Sequence, residues 1–241
     1  MAILPSKVPP ELQKTFFDAF DELFNFLVDT PEKPFRAGYI TSSSRQKGLG
    51  IVNGTNPKET QEFTHHFWPD GNDQFRESAD LYARVMAEID HAVTRMVFEN
   101  YGVEKYHDDH FQSTSHTLRF LTYKEPKKFE VDVGLRSHTN KNFSTVLHQN
   151  HVNGLEINTK NDEWVVFDPL PSSVIFIAGD GFQVWSNDRI RAFNKGMIQV
   201  PDELVDKEHP LRYKPLNHLE FLRAHKDVGE TEYAAQAYCA I

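Results

Sequence analysis

The chain has one cysteine, Cys239, among 241 residues. An internal disulfide is therefore excluded, and a reducing compartment is expected. No apolar run approaches the ~18–20 residues of a membrane span. The opening Met1-Ala2-Ile3-Leu4-Pro5 lacks the length and basic region of a secretion signal. A cytoplasmic protein with no membrane partner is the expectation. Positive charge is also scarce: 26 Lys and Arg stand against 35 Asp and Glu, a formal net charge of −9. That removes the electrostatic basis for binding nucleic acid or anionic lipid. Internal repeats, low-complexity tracts and long linkers are lacking as well.

What is present reads as an ordinary globular chain with a ring-rich core. Hydrophobic residues make up 39%, charged residues 25%, and there are 19 Phe. The length allows one sizeable domain. Pro9-Pro10 can open a helix, and Phe16, Phe17, Phe20, Leu23, Phe24 and Leu27 follow at three- and four-residue spacing. Pro31 and Pro34 are expected to end it. Residues 31–75 read as loop-rich, with Asn53-Gly54 and Asp70-Gly71 as turn signals. Helical periodicity returns over 76–106. From about residue 116 short strands take over: 117–123, 131–135, 152–157, 164–167, 173–178 and Gln183-Val184-Trp185. After Val200 the pattern is helical or irregular.

The expected fold class is therefore α+β. Helices and loops over 1–110 precede a jelly-roll-like core and a helical tail over 111–241, all in one structural domain.

Twelve histidines are present. His65-His66 and the 107–110 stretch lie among loop and acidic residues and read as surface or hydrogen-bonded positions, not as ligands. His138 is different, because it follows a strand pattern and shares a strand face with position 140. A His-x-Asp pair at that spacing supplies two ligands of a 2-His-1-carboxylate iron site.

From about residue 8 onward the chain resembles the plant 2-oxoglutarate/Fe(II)-dependent dioxygenases. It is most similar to the branch that produces alkenyl- and hydroxyalkyl-glucosinolates. The resemblance rests on Leu118-Arg119-Phe120, Gly134-Leu135-Arg136-Ser137-His138-Thr139, Leu147-His148-Gln149-Asn150 and Asn153-Gly154-Leu155-Glu156. It continues through Ala178-Gly179-Asp180, the 185–190 segment Trp-Ser-Asn-Asp-Arg-Ile and the 201–210 segment ending in Glu208-His209-Pro210. The resemblance implies a double-stranded β-helix, Fe(II) and 2-oxoglutarate as cofactors, a small specialised metabolite as substrate, and a monomer. It makes His138 the first metal ligand and Tyr123 a strand tyrosine that can contact 2-oxoglutarate. In such enzymes an Arg grips the far carboxylate of 2-oxoglutarate.

Three departures argue against this chain holding those cofactors. Asn140 stands at the Asp position, and an amide oxygen is neutral. Lys195 falls in the distal His slot, and a cation repels a metal. The Arg-x-Ser motif is missing, and Arg212 and His209 belong to a separate segment that relatives carry in addition. One deletion of core strands between Ala192 and Phe193 would explain the last two departures. It would also leave sheet edges open.

The expected consequence is a catalytically inactive family member. Two alternatives remain beside it. One is an active oxygenase with non-standard ligands drawn from His148, His151 or His209. The other is a non-enzymatic binding protein.

Overall fold

Prolines and asparagines set where the first helices begin. Helix α1 (Pro10–Asn25) starts on a proline in its first turn, where the missing N–H costs nothing. Asn56 caps α2 (Pro57–Phe67) by accepting from the Lys58 N–H at 3.1 Å. Asn72 caps α3 (Asp73–Asn100) by accepting from the Phe75 N–H at 2.9 Å. The short α4 (His107–Ser113) follows a single 3-10 turn. The structure, a computed structural model, describes residues 2–5, 8–26, 33–35, 38–42, 46–123, 137–158, 163–168, 170, 173–189, 197–217, 220–221 and 234–241.

The strands form four antiparallel groups among the described residues. β2 (Lys33–Phe35), β3 (Gly38–Ser42), β4 (Gln46–Ile51) and β5 (Leu118–Tyr123) make a four-stranded sheet in that order. β1 (Ala2–Pro5), β9 (Ser173–Ala178) and β6 (Ser144–Leu147) make a three-stranded sheet with β9 in the middle. β7 (Leu155–Asn158) pairs with β8 (Trp164–Phe167), and β10 (Met197–Ile198) with β11 (Leu216–Asn217). Helices α5 (Asp180–Trp185) and α6 (Ala234–Cys239) complete the described elements.

Two ring-rich cores form, and α3 contributes to both. Phe75, Ala79 and Tyr82 at its start join Phe16, Leu23, Leu49, Phe63 and Phe120 between α1, α2 and the β4–β5 pair. Phe98 at its end joins Phe143, Phe176, Phe182, Trp185 and Leu204. Phe63, Phe75 and Phe120 are fully buried. Truncating any of them to Ala would cost roughly 3–5 kcal/mol.

The structure differs from the sequence reading in five places. Residues 57–67, inside the stretch read as loop-rich, form helix α2. Residues 33–51, read as loop, hold three strands. Their alternation is broken by Gly48 and Gly50, buried with no side chain to mark an inward face. Pro34 lies in the edge strand β2, where a lost N–H is tolerated, and α1 has already ended at Asn25. Gln183-Val184-Trp185, read as strand, is helical in α5; all three residues are buried, and a run with no exposed face carries no period to read. The 107–110 stretch, placed among loop residues by the sequence, is helical in α4, with His107 2% exposed. The 131–135 pattern, Leu27 and Pro31 lie outside the described residues.

Candidate functional site

The segment 137–143 is irregular and leads into β6. It is fixed against the turn between β9 and α5. The Asp180 N–H donates to the Asn140 carbonyl at 2.6 Å, and the Gly179 N–H donates to the Phe143 carbonyl at 3.1 Å. Such a close approach demands glycine at 179. A Cβ there would lie 2.5 Å from the Asn142 carbonyl oxygen and 2.6 Å from that of Asn140. The Gly-Asp pair and the His138 segment are thus one local unit, joined by backbone hydrogen bonds.

His138 and Asn140 are both half-buried in this segment. The Asn140 amide donates from Nδ2 to Thr145 Oγ1 at 3.3 Å, and the same hydroxyl accepts from Asn142 at 2.7 Å. Asp180 is 2% exposed and its Oδ2 has no partner. Burial raises its pKa, while the Thr139 hydroxyl, Lys141 and His138 pull the other way. The sequence reading quoted Asp180 within a motif but gave it no role. Its one signal was an acid between two glycines after a buried strand.

The other residues singled out in the sequence are already engaged elsewhere or lie outside the description. Tyr123 ends β5, 47% exposed, and its hydroxyl accepts from the Gln46 amide at 3.2 Å. The cleft it lines has Asp21, Phe24, Asn25, Lys47 and Thr122 as its other walls, with no ligand-position residue among them. His148 Nδ1 hydrogen-bonds the Tyr82 hydroxyl. His209 Nδ1 lies 3.0 Å from Asp206 Oδ1. Arg212 donates to Asp188 Oδ2 at 2.9 Å. His151 is exposed. Lys195 lies outside the described residues. Among the described residues, no three His, Cys, Asp or Glu side chains are grouped so as to hold a metal ion. The donors at hand, His138 and a neutral amide, do not fit the family's iron site.

A polar hub closes α5. Asn187 and Asp188 both take left-handed backbone conformations, φ 54° and 68°. Such strain persists only where surroundings hold it. Here Asn187 accepts from the Arg212 N–H at 2.8 Å and donates to the Pro210 carbonyl at 2.9 Å. Asp188 accepts from Gln183 at 2.7 Å, from Tyr213 at 2.5 Å and from Arg212. The Ser-Asn-Asp-Arg stretch therefore anchors the C-terminal segment.

A sequence model described as the 2OG-Fe(II) oxygenase superfamily matches residues 97–203. The "Probable 2-oxoglutarate-dependent dioxygenase AOP1" of Arabidopsis thaliana is 33% identical over 247 residues, covering 90% of this chain and 82% of the relative. The chain belongs to the 2-oxoglutarate-dependent dioxygenase family. Another Arabidopsis relative, "Probable inactive 2-oxoglutarate-dependent dioxygenase AOP2", is 27% identical over 350 residues, covering 98% of this chain and 88% of that one. Both matches are longer than the stretch of this chain they use, so the relatives carry residues inside the match that this dioxygenase homologue lacks.

The rice dioxygenase for auxin oxidation shares the fold at a TM-score of 0.80 and 25% identity, over 98% of this chain and 87% of that one. JOX2, solved with 2OG, Fe and JA, also reaches 0.80 at 19% identity, over 99% of this chain and 80% of that one. The fold class is thus α+β with the jelly-roll architecture of these oxygenases. Among the described residues no helix is long and apolar enough to cross a membrane.

Proposed function

We propose that this member of the dioxygenase family does not assemble the iron site and does not turn over 2-oxoglutarate. The observation that carries the reading is Asn140 at the carboxylate position, its amide turned to Thr145. A divalent ion in a site of oxygen and nitrogen donors is held largely by ligand charge. An amide supplies none. Support comes also from Arg212, whose guanidinium is engaged by Asp188 instead of facing a co-substrate carboxylate. The relatives' extra internal residues support a loss of core strands between Ala192 and Phe193, where Lys195 then takes the distal His slot. On this reading His138 is a vestigial ligand and Tyr123 a former 2-oxoglutarate contact. On this reading the chain is one structural unit, 1–110 together with 111–241, and the contribution of α3 to both cores supports that. The reading places it in the cytosol, as the lone cysteine supports, without a nucleic-acid or membrane partner, as the net charge of −9 supports, and takes the monomeric state from the family resemblance.

One observation favours a second reading, an oxygenase with a rebuilt ligand set. Asp180 is a buried carboxylate near His138, with an oxygen lacking any partner. It is the one acid of the described site that could replace the missing charge.

The deciding experiment is anaerobic titration with Fe(II) and 2-oxoglutarate, followed by a succinate assay in air. The expected result is no visible charge-transfer band and no succinate above a protein-free control. A band saturating near one equivalent overturns the proposal. Loss of that band in Asp180→Asn would then establish the rebuilt site.

A further inference from the structure

Four imidazoles gather beside the segment that carries Asn140. His91 on α3 stacks on His107 of α4 with centroids 4.6 Å apart and planes within 7°, and on Phe111 at 3.8 Å. His110 packs on Phe98 at 5.4 Å and on Phe143 at 4.2 Å. His116, just before β5, places Nε2 3.1 Å from Asp90 Oδ2. His107 Nδ1 lies 3.1 Å from Asp108 Oδ1, and its buried Nε2 has no partner.

Two of these contacts tie the cluster to the site segment. Asp90, 7% exposed, also accepts from the hydroxyl of Ser144, the first residue of β6. The Phe143 ring lies between His110 and Phe182, stacked on the latter at 4.0 Å. Release of either contact would loosen the end of 137–143 from α3 and α4.

The charges facing the cluster are few. α3 presents Asp90 and Arg95, α4 presents Asp108 besides its two histidines, and β6 presents the uncharged Ser144. Arg95 and Asp108 are exposed at the rim, 59% and 83% at the side chain. Among the described residues, Asp90 is the one buried anion beside these four rings. A proton beside Asp90 is balanced, whereas a further proton puts like charges on stacked or neighbouring rings. Burial already lowers His110 to about 4, and burial with His107 and Arg95 nearby lowers His91.

We propose that this histidine cluster is an acid-sensitive latch: with its rings neutral it pins Phe143 and Ser144 to α3 and α4, and on protonation it releases the 137–144 segment. The latch is independent of whether position 140 holds a metal.

The test is a pH titration of the full chain by NMR, following imidazole C2 protons and backbone amides together. The amides of 140–146 are expected to shift below about pH 6 with the midpoint of a cluster histidine, while β4 and β5 amides stay in place. His110→Phe keeps the ring on Phe143 but takes no proton, and should lower the midpoint by about half a pH unit or more. His116→Gln keeps a donor to Asp90 but takes a like charge away from His110, so it should raise the midpoint, which covers the case of a misfolded first variant. Segment amides that follow no imidazole, a single collapse of the whole spectrum, or wild-type midpoints in the folded variants would each overturn the latch.

Discussion

The Tyr82 hydroxyl and His148 Nδ1 are hydrogen-bonded across 66 positions of sequence, their rings stacked with centroids 5.9 Å apart. Phe17 meets the same imidazole edge-on at 5.7 Å. Burial lowers the His148 pKa and raises that of Tyr82. A histidine in a motif segment is thus part of the packing between α1, α3 and the residues after β6. Tyr82→Phe should destabilise the chain by about 1–3 kcal/mol, because it leaves a half-buried ring nitrogen without its partner. Urea unfolding of both proteins checks this. Unchanged stability would mean that the pair contributes nothing.

Restoring the carboxylate should restore binding strength and not catalysis. Asn140→Asp adds one ligand charge beside His138, and Mn(II) affinity should rise roughly tenfold. Succinate formation should stay at background on the proposed reading, in which the Arg-x-Ser motif for 2-oxoglutarate is missing. Turnover in this single variant would show that the other two departures are harmless.

Acid should weaken the fold through its histidines. His110 and His91 titrate lower in the folded chain than the ordinary imidazole value of about 6.5. As pH falls, the unfolded chain takes up these protons first. The stability is therefore complete above about 6.5 and is lost as the pH drops toward about 4. The His110 share between about pH 7 and pH 5 should be roughly 2 kcal/mol. Urea midpoints at the two pH values read it directly, and equal midpoints would contradict it.

The Asp188 hub should hold the C-terminal segment. Burial would raise this carboxyl, yet hydrogen bonds from Tyr213, Gln183 and Arg212 bring it below its usual value. Its stability is present above about pH 4 and is lost as the pH falls further. Asp188→Asn removes the charge from those bonds and should cost about 1–3 kcal/mol. Hydrogen exchange should rise at 209–217 and 235–241 and stay unchanged in α2. Uniform exchange across the chain would contradict the anchoring role.

The β7–β8 pair should be a point of non-specific aggregation at high concentration. Trp164 and Val166 are 52% and 56% exposed on a pair with no further strand among the described residues. Trp164→Lys should lower dye binding and concentration-dependent scattering, with stability changed by no more than about 0.5 kcal/mol. Unfolding of this variant would show that Trp164 is a core residue.

Several features were fixed by local sequence. The periodicity over 76–106 predicts α3, though the helix itself stops at Asn100; the alternation at 117–123 predicts β5, and the apolar run at 173–178 predicts β9. Each pattern reports which face of one element is buried, and that period survives without knowledge of the partner. The motif order likewise identifies the family, and Asn140 and Lys195 mark its departures, because a residue's chemical type is visible in the sequence itself.

The fate of individual polar side chains was decided by tertiary structure alone. His148 meets Tyr82 from 66 residues away, Arg212 meets Asp188 from 24, and Asp90 gathers His116 and Ser144 from 26 and 54. The strands of 33–51 and the helix at Gln183-Val184-Trp185 escaped the sequence for a related reason. Buried glycines and all-round burial leave no alternation to read, so packing against distant elements selects the conformation.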